Sequence, residues 1–226
     1  MGKNVKNAMI CTMAFWLLAA TFGVKAQSSP ELTGIPGALK WNNNPAAFTV
    51  DRGSILEIAA GPKTDWFVDP FDGKMAKNAP ILTFVPAEDY VLSTKVTVKF
   101  TSKWDAGALM LWADDHHWAK FALELSPEKQ PTVVTVVTRG LSDDCNSVPI
   151  TGDTVYLQIA RKKSTYVFYY GIDGTTWKLI RTFNLSAQAK MSVGFESQSP
   201  AGEGTKAEFS QIQYSPKTIT DVYTGK

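Results

Sequence analysis

The sequence predicts an all-β fold, an antiparallel sandwich or barrel, and three observations support that prediction. Beyond residue 26, no apolar pattern with a 3.6-residue period is sustained over three helical turns. Alternation of apolar and polar residues recurs instead in about eleven short segments, with clusters of glycine, proline, asparagine and aspartate between them. The 226 residues are 44% hydrophobic and 19% charged, which excludes a disordered or coiled-coil chain.

Residues 1–26 read as a secretory signal peptide rather than as part of the fold. Lys3 and Lys6 precede an apolar stretch at 8–22, which is shorter than the roughly 20 residues that span a bilayer. A Val-Lys-Ala sequence ending at Ala26 then supplies the small residues that signal peptidase reads. We therefore predict a secreted or periplasmic protein that is cleaved after Ala26 and has no membrane span in its mature chain.

The predicted strands follow one another at near-regular spacing within one domain, which covers residues 38–216. The flanking segments 27–37 and 217–226 carry no strand pattern and are predicted to be poorly ordered ends. Such spacing without helical crossovers favours antiparallel pairing. The predicted strands lie at 54–60, 81–85, 90–101, 106–113, 117–125, 132–138, 155–162, 165–171, 177–183, 190–198 and 206–214.

Charge and cysteine content restrict the partners and the means of stabilisation. Removal of Lys3, Lys6 and Lys25 from the 23 basic residues leaves 20 against 21 acidic residues, a net charge of −1. No basic patch indicates nucleic acid as a partner. Cys145 is the one cysteine of the predicted mature chain, so no intramolecular disulfide can form there. No motif around Cys145 favours a catalytic nucleophile over a bystander thiol.

The strand predicted at 117–125 has a face that core packing does not explain. Its odd-numbered residues from 119 onwards are apolar, whereas Trp118, Lys120 and Glu124 alternate with them and project from the opposite face. Charged side chains are rarely buried without a partner or a function. The pattern therefore predicts a curved sheet with a lined groove.

Several segments resemble one protein family. The runs at 105–115 (DAGALMLWADD) and 118–124 (WAKFALE) resemble a central motif of the DUF1349 family. Four further segments at 64–67, 137–144, 173–174 and 193–204 resemble the same family in the same order, so that the resemblance covers roughly residues 40–215. It implies the concanavalin A-like jelly-roll fold of two antiparallel sheets that is shared with lectins and some glucanases, and it leaves the biochemical activity open.

The candidate ligand-binding residues combine aromatic rings with hydrogen-bonding groups. Sugars present apolar faces and rims of hydroxyl groups, so their sites use both kinds of side chain. We expect the groove residues to lie near the end of the strand at 132–138 and the acidic pair of a loop at 142–146, although each tryptophan could instead pack in the core. The candidates are Trp66, Trp112, Trp118, Lys120, Glu124, Arg139, Asp143 and Asp144.

The sequence thus predicts a lectin-like domain that binds glycan and needs no cofactor. A glycoside hydrolase is an alternative, because Glu124 and Glu196 could face the groove from different strands as its two carboxylates. A structural or protein-interaction module is a further alternative. Asp143, Asp144 and Asn146 could hold a structural calcium ion, but an ordinary turn rich in aspartate and asparagine explains them as well.

Overall fold

A computed structural model describes residues 29–185 and 190–226 of the chain, together with Gly2. The predicted signal peptide therefore lies almost wholly outside the described residues, and its cleavage stays a prediction. Within the described ranges, no helix is long and apolar enough to cross a membrane.

Sixteen strands run through the described residues, which confirms the all-β prediction. They are β1 (Lys40–Asn42), β2 (Ala47–Asp51), β3 (Ile55–Ala60), β4 (Trp66–Val68), β5 (Met75–Lys77), β6 (Ile81–Phe84), β7 (Tyr90–Val98), β8 (Ala106–Asp114), β9 (His117–Leu125), β10 (Pro131–Arg139), β11 (Leu141–Pro149), β12 (Thr154–Lys162), β13 (Thr165–Gly171), β14 (Lys178–Phe183), β15 (Ser192–Gln198) and β16 (Thr205–Ser215).

Two antiparallel sheets of seven strands pack face to face, as expected for a jelly-roll sandwich. The front sheet has the order β1-β6-β15-β8-β9-β10-β11, and the back sheet has the order β14-β13-β12-β7-β16-β3-β2. Many neighbouring strands are far apart in sequence, which is typical of jelly rolls and not of simple meanders. Strands β4 and β5 form a separate two-stranded ribbon.

Apolar residues that alternate along the strands fill the space between the sheets. Phe121 of β9 stacks on Phe168 of β13 across the sandwich, with ring centroids 4.6 Å apart. Phe195 and Phe209 make a second contact of this kind at 5.1 Å. The outer face of the front sheet is also covered in part, because Trp66 of the β4–β5 ribbon packs there with apolar residues of β8, β9 and β10.

Sequence reasoning missed β1, β2, β4, β5 and β11, and apart from the five-residue edge strand β2 these strands are short or polar. β1, β4 and β5 have three residues each, too few to show alternation. The predicted loop at 142–146 is wrong, because these residues lie in β11 and pair with β10 along its length. β11 is an edge strand whose side chains are mostly exposed, so no apolar face marks it in the sequence.

Both flanking segments pack against the sandwich, in contrast to the poorly ordered ends that were expected. The amide of Thr33 donates to the carbonyl of Gly53 at 2.7 Å. Near the other end, Ile219 is 3% exposed and packs on the outer face of the back sheet. The hydroxyl of Tyr169 donates to the carbonyl of Val222 at 2.6 Å, which holds the same segment in place.

Candidate functional site

A pocket of about 330 Å³ lies on the outer face of the front sheet, beside the β4–β5 ribbon. The strand register places Lys120, Val136 and Asp144 in one row across β9, β10 and β11. We call this cavity the acidic pocket, because four of its lining side chains are carboxylates. Its lining residues are Asp65, Phe67, Asp69, Trp104, Lys120, Glu124, Val136, Asp144, Gln198 and Pro200.

Small residues in the centre of the sheet leave room for the polar side chains around them. Ala106 of β8 pairs with Glu124 of β9 on one side and with Gln198 of β15 on the other. Alternate residues of a strand share a face, so all three side chains rise from the outer face. The short side chain of Ala106 lets the amide of Gln198 reach the Glu124 carboxyl, with Nε2 and Oε2 3.3 Å apart.

Lys120 is the centre of a buried hydrogen-bond network. Its side chain is 3% exposed, and its ammonium group donates to Asp65 Oδ1 at 3.0 Å and to Gln198 Oε1 at 2.6 Å. The amide of Gln198 also donates to the carbonyl of Trp104 at 3.1 Å. Because the partners of Lys120 come from different parts of the chain, the lysine ties the segment before β4 to the sheet.

Burial perturbs the carboxyl groups of this site. Removal from solvent raises the pKa of Glu124 to about 8, although the nearby Lys120 acts in the opposite direction. The pKa of Asp144 is also raised, again mainly by burial. Burial works to lower the pKa of Lys120, but the carboxylates of Asp65, Glu196 and Glu124 outweigh it, so that this pKa is raised. The lysine is therefore a fixed positive charge.

Glu196 lies close to this network but does not line the pocket. The side chain is 0% exposed, and neither carboxyl oxygen has a hydrogen-bond partner among the described residues. Burial raises the pKa of Glu196 to about 7, against the effect of Lys120. This placement corrects the prediction that Glu124 and Glu196 face the groove together as a catalytic pair.

Trp104 is a lining residue that sequence reasoning missed. Its φ of 67° lies in the left-handed region, which is rare for a bulky side chain and marks local strain. A short loop holds this conformation: the amide of Trp104 donates to the carbonyl of Leu125 at 2.6 Å, and the buried Asp105 carboxylate accepts from the amides of Thr101 and Ser102. Trp104 as a whole is 37% exposed, and no strand pattern in the sequence points to it.

Asp65 is the other important residue that was missed. It stands in the segment at 64–67 that resembles the DUF1349 family, in which the sequence points to Trp66 alone as a candidate. A single aspartate before a three-residue strand gives no periodic signal. Its role follows from the fold, which brings it to Lys120 across 55 positions of sequence.

The structure brings Lys120, Glu124 and Asp144 together as predicted, but the candidate tryptophans lie elsewhere. Trp118 is 0% exposed, and its ring meets that of Trp66 edge to face with centroids 6.1 Å apart. Both therefore pack in the outer apolar layer and do not line the acidic pocket, which corrects their assignment to its ligand surface, although Trp66 borders a neighbouring pocket. Trp112 lines a neighbouring pocket of about 420 Å³ with Trp41 and other residues.

Arg139 and Asp143 are also separated from the acidic pocket. Asp143 neighbours Asp144 on β11, so its side chain points to the opposite face, where the carboxylate accepts from Arg181 at 2.8 Å. Arg139 ends β10 at an exposed position on the face opposite to Thr138. The adjacent aspartates do not converge on one ion, and no group of three metal-binding side chains occurs in the part of the chain that the structure describes.

Comparison with known proteins places the chain in one family and one fold. A family model described as "Protein of unknown function (DUF1349)" matches residues 41–217. "Regulation of enolase protein 1" from Saccharomyces cerevisiae is 24% identical over 174 residues, which are 76% of this chain and 86% of the yeast protein.

Solved structures with low sequence identity share the fold. A functionally unknown protein from Saccharomyces cerevisiae superposes with a TM-score of 0.74 and 22% identity, over 81% of this chain and 97% of the yeast chain. A xylan β-1,4-xylosidase from Bacillus halodurans superposes with a TM-score of 0.59 and 17% identity, over 71% of this chain but only 32% of the enzyme. At these identities the likeness concerns the fold alone.

Proposed function

Because the chain belongs to the DUF1349 family, whose description states no activity, we propose a function from its own site: the domain binds carbohydrate in the acidic pocket. The observation that carries this proposal is the exposed ring of Trp104 beside the polar atoms of Glu124 and Asp144. An indole ring stacks on the apolar face of a sugar, while carboxylates accept hydrogen bonds from its hydroxyl groups. The pocket volume lies at the low end of the range for small-molecule sites.

The rigidity of the site supports binding of a defined ligand. Lys120, Gln198 and Glu124 hold one another through hydrogen bonds, so their positions are set before any ligand arrives. A site that is ordered in advance loses less conformational entropy on binding. The names of structural neighbours such as the xylosidase, which acts on xylan, also favour a carbohydrate ligand.

Glycoside hydrolysis finds less support in this pocket than binding does. Hydrolysis needs two carboxyl groups about 5 to 9.5 Å apart across the scissile bond. Glu124 and Asp144 lie two strands apart and four residues out of register, which separates their Cα atoms by about 16 Å. Asp65 is held by Lys120, Asp69 accepts from the amide of Phe71 at 2.7 Å within its own turn, and Glu196 does not line the pocket.

A glycan array followed by isothermal titration calorimetry tests the proposal. We expect the wild-type domain to bind at least one oligosaccharide, and Trp104→Ala to weaken that binding by about tenfold or more because the stacking surface is lost. Tyr223→Ala is the matched control, since Tyr223 is an exposed aromatic residue in the segment behind the back sheet.

The outcomes separate the candidate functions. Equal losses in the two variants, or no loss in Trp104→Ala, would contradict a sugar site at this pocket. New reducing ends released from a bound glycan would favour the hydrolase. Absence of binding to every glycan on the array would favour a protein-interaction role. The name of the yeast relative, which refers to regulation of another protein, is consistent with that role.

A further inference from the structure

We propose that the acidic pocket selects glycans that carry a protonated amine, such as oligosaccharides of glucosamine. This inference rests on the proposed carbohydrate function and names its substrate class. The first observation is a surplus of acidic groups, because four carboxyl side chains and a single cation, Lys120, line the pocket among the described residues. The ammonium of Lys120 is already occupied by Asp65 and Gln198. The lining carboxylates are Asp65, Asp69, Glu124 and Asp144.

Glu196 is an independent second observation. Its register position on the outer face lies in the row between those of Lys120 and Glu124, so its side chain rises beside these two lining residues without itself lining the pocket. The carboxyl group is fully buried, and both of its oxygens lack a hydrogen-bond partner among the described residues. A buried carboxyl without a partner favours the approach of a positive charge.

The geometry favours an organic ammonium group over a metal ion. Among the described residues, no three acidic, histidine or cysteine side chains converge closely enough to hold an ion. The carboxylates instead surround a cavity that also contains the rings of Phe67 and Trp104. Aromatic faces attract ammonium groups, and the ammonium of Lys103 already lies 4.3 Å from the ring centroid of Trp104.

The cationic side chains near the acidic pocket do not neutralise its excess of acidic groups, because they bind elsewhere. Lys63 donates to the carbonyl of Ala201 at 2.7 Å, and Arg181 is paired with Asp143 on the other face of the front sheet. Lys103 occupies the exposed side of the loop that carries Trp104, where a bound amine would compete with it.

Binding of a cation should displace a proton from the pocket. The groups that act on Glu124 are Lys120, Asp144, Asp65 and Glu196. With a pKa of about 8, Glu124 is mostly protonated at about pH 7, and an adjacent ammonium favours its ionised form. We therefore expect the affinity for the amine-bearing glycan to rise with pH up to about pH 6, as the carboxyl ionises in the complex, and to fall above about pH 7 as the amino sugar loses its own proton.

The experiment compares a glucosamine tetramer with cellotetraose, which carries a hydroxyl in place of each amine, and with the N-acetylated tetramer. Titration calorimetry at about pH 6, where the amines are charged, and at low salt should show the glucosamine tetramer binding at least about tenfold more tightly than either neutral oligosaccharide. Glu124→Gln and Asp144→Asn should each reduce this preference. Glu208→Gln on the back sheet is the matched control and should leave it unchanged.

Proton release provides a second readout. The apparent binding enthalpy of the glucosamine tetramer should depend on the ionisation enthalpy of the buffer, and Glu124→Gln should abolish that dependence. Equal affinity for amine-bearing and neutral oligosaccharides would overturn the amine preference and leave carbohydrate binding standing. Absence of binding to all three tetrasaccharides would overturn the amine preference. Absence of binding to every glycan on the wider array would overturn carbohydrate binding as well.

Discussion

The buried carboxyl of Glu196 should make the stability of the domain depend on pH, and Glu196→Gln should remove that dependence. Burial raises its pKa from 4.5 to about 7, so the protonated form is the one that the folded state favours. The resulting stability is fully present below the unfolded pKa and is lost as the pH rises through about 7. The difference between the two pKa values corresponds to about 3 kcal/mol of unfolding free energy.

Urea unfolding at about pH 4 and about pH 9 measures this effect. The wild type should lose about 3 kcal/mol more than Glu196→Gln between these two pH values, because the glutamine amide does not titrate. Glu124 contributes a loss of the same sign, since burial also raises its pKa, but it is present in both proteins. The comparison therefore reports Glu196 together with its electrostatic effect on Glu124, whose pKa it helps to raise.

Glu128→Gln, which replaces an exposed carboxyl by an amide in the turn after β9, is the control and should follow the wild type. The reasoning would be refuted by Glu196→Gln losing as much stability as the wild type over the same pH range. Such a result would mean that the carboxyl is solvated or paired in solution.

Three further predictions follow from the fold and from the leader sequence. Lys120→Met should lower the unfolding free energy by about 3–5 kcal/mol in a urea titration, because it strands the carboxylate of Asp65; a loss below about 1 kcal/mol would show that the network is not structural. Gly194→Ala should cost about 3 kcal/mol or more, because its Cβ would overlap the carbonyl oxygen of Leu82, whereas Gly61→Ala, where nothing lies within 4 Å, should leave the melting temperature almost unchanged. The exported protein should begin at Gln27 and contain one titratable thiol, Cys145; an intact mass that retains the leader, or a different thiol count, would contradict the signal-peptide prediction.

The sequence was sufficient for most of the fold because strand signals are local. β9 has its predicted bounds, and its apolar and polar faces are those that alternation indicated. Short ribbons such as β4–β5 and the polar edge strand β11 could not be found in this way. Their pairing depends on neighbours rather than on any pattern of their own.

The residues of the candidate site also fall into those that local alternation predicts and those that depend on distant segments. The pleat of one strand determined by itself that Lys120 and Glu124 would share a face, and this was correct. The pleat also placed Trp118 on that face, but only the tertiary structure decided that the β4–β5 ribbon would cover it. Facing direction is a property of a few consecutive residues, whereas burial depends on which distant segments pack above them.

By itself, the sequence determined an all-β chain, the direction of the polar residues on β9 and the family resemblance. Only the tertiary structure decided that Lys120 would meet Asp65 and Gln198, which lie 55 and 78 positions away in the chain. The same holds for Trp104, whose loop is held in a left-handed conformation by hydrogen bonds to the end of β9. The reason is physical: periodicity records which way a side chain points, but a hydrogen bond between distant residues depends on the order of strands in a sheet, which no local pattern encodes.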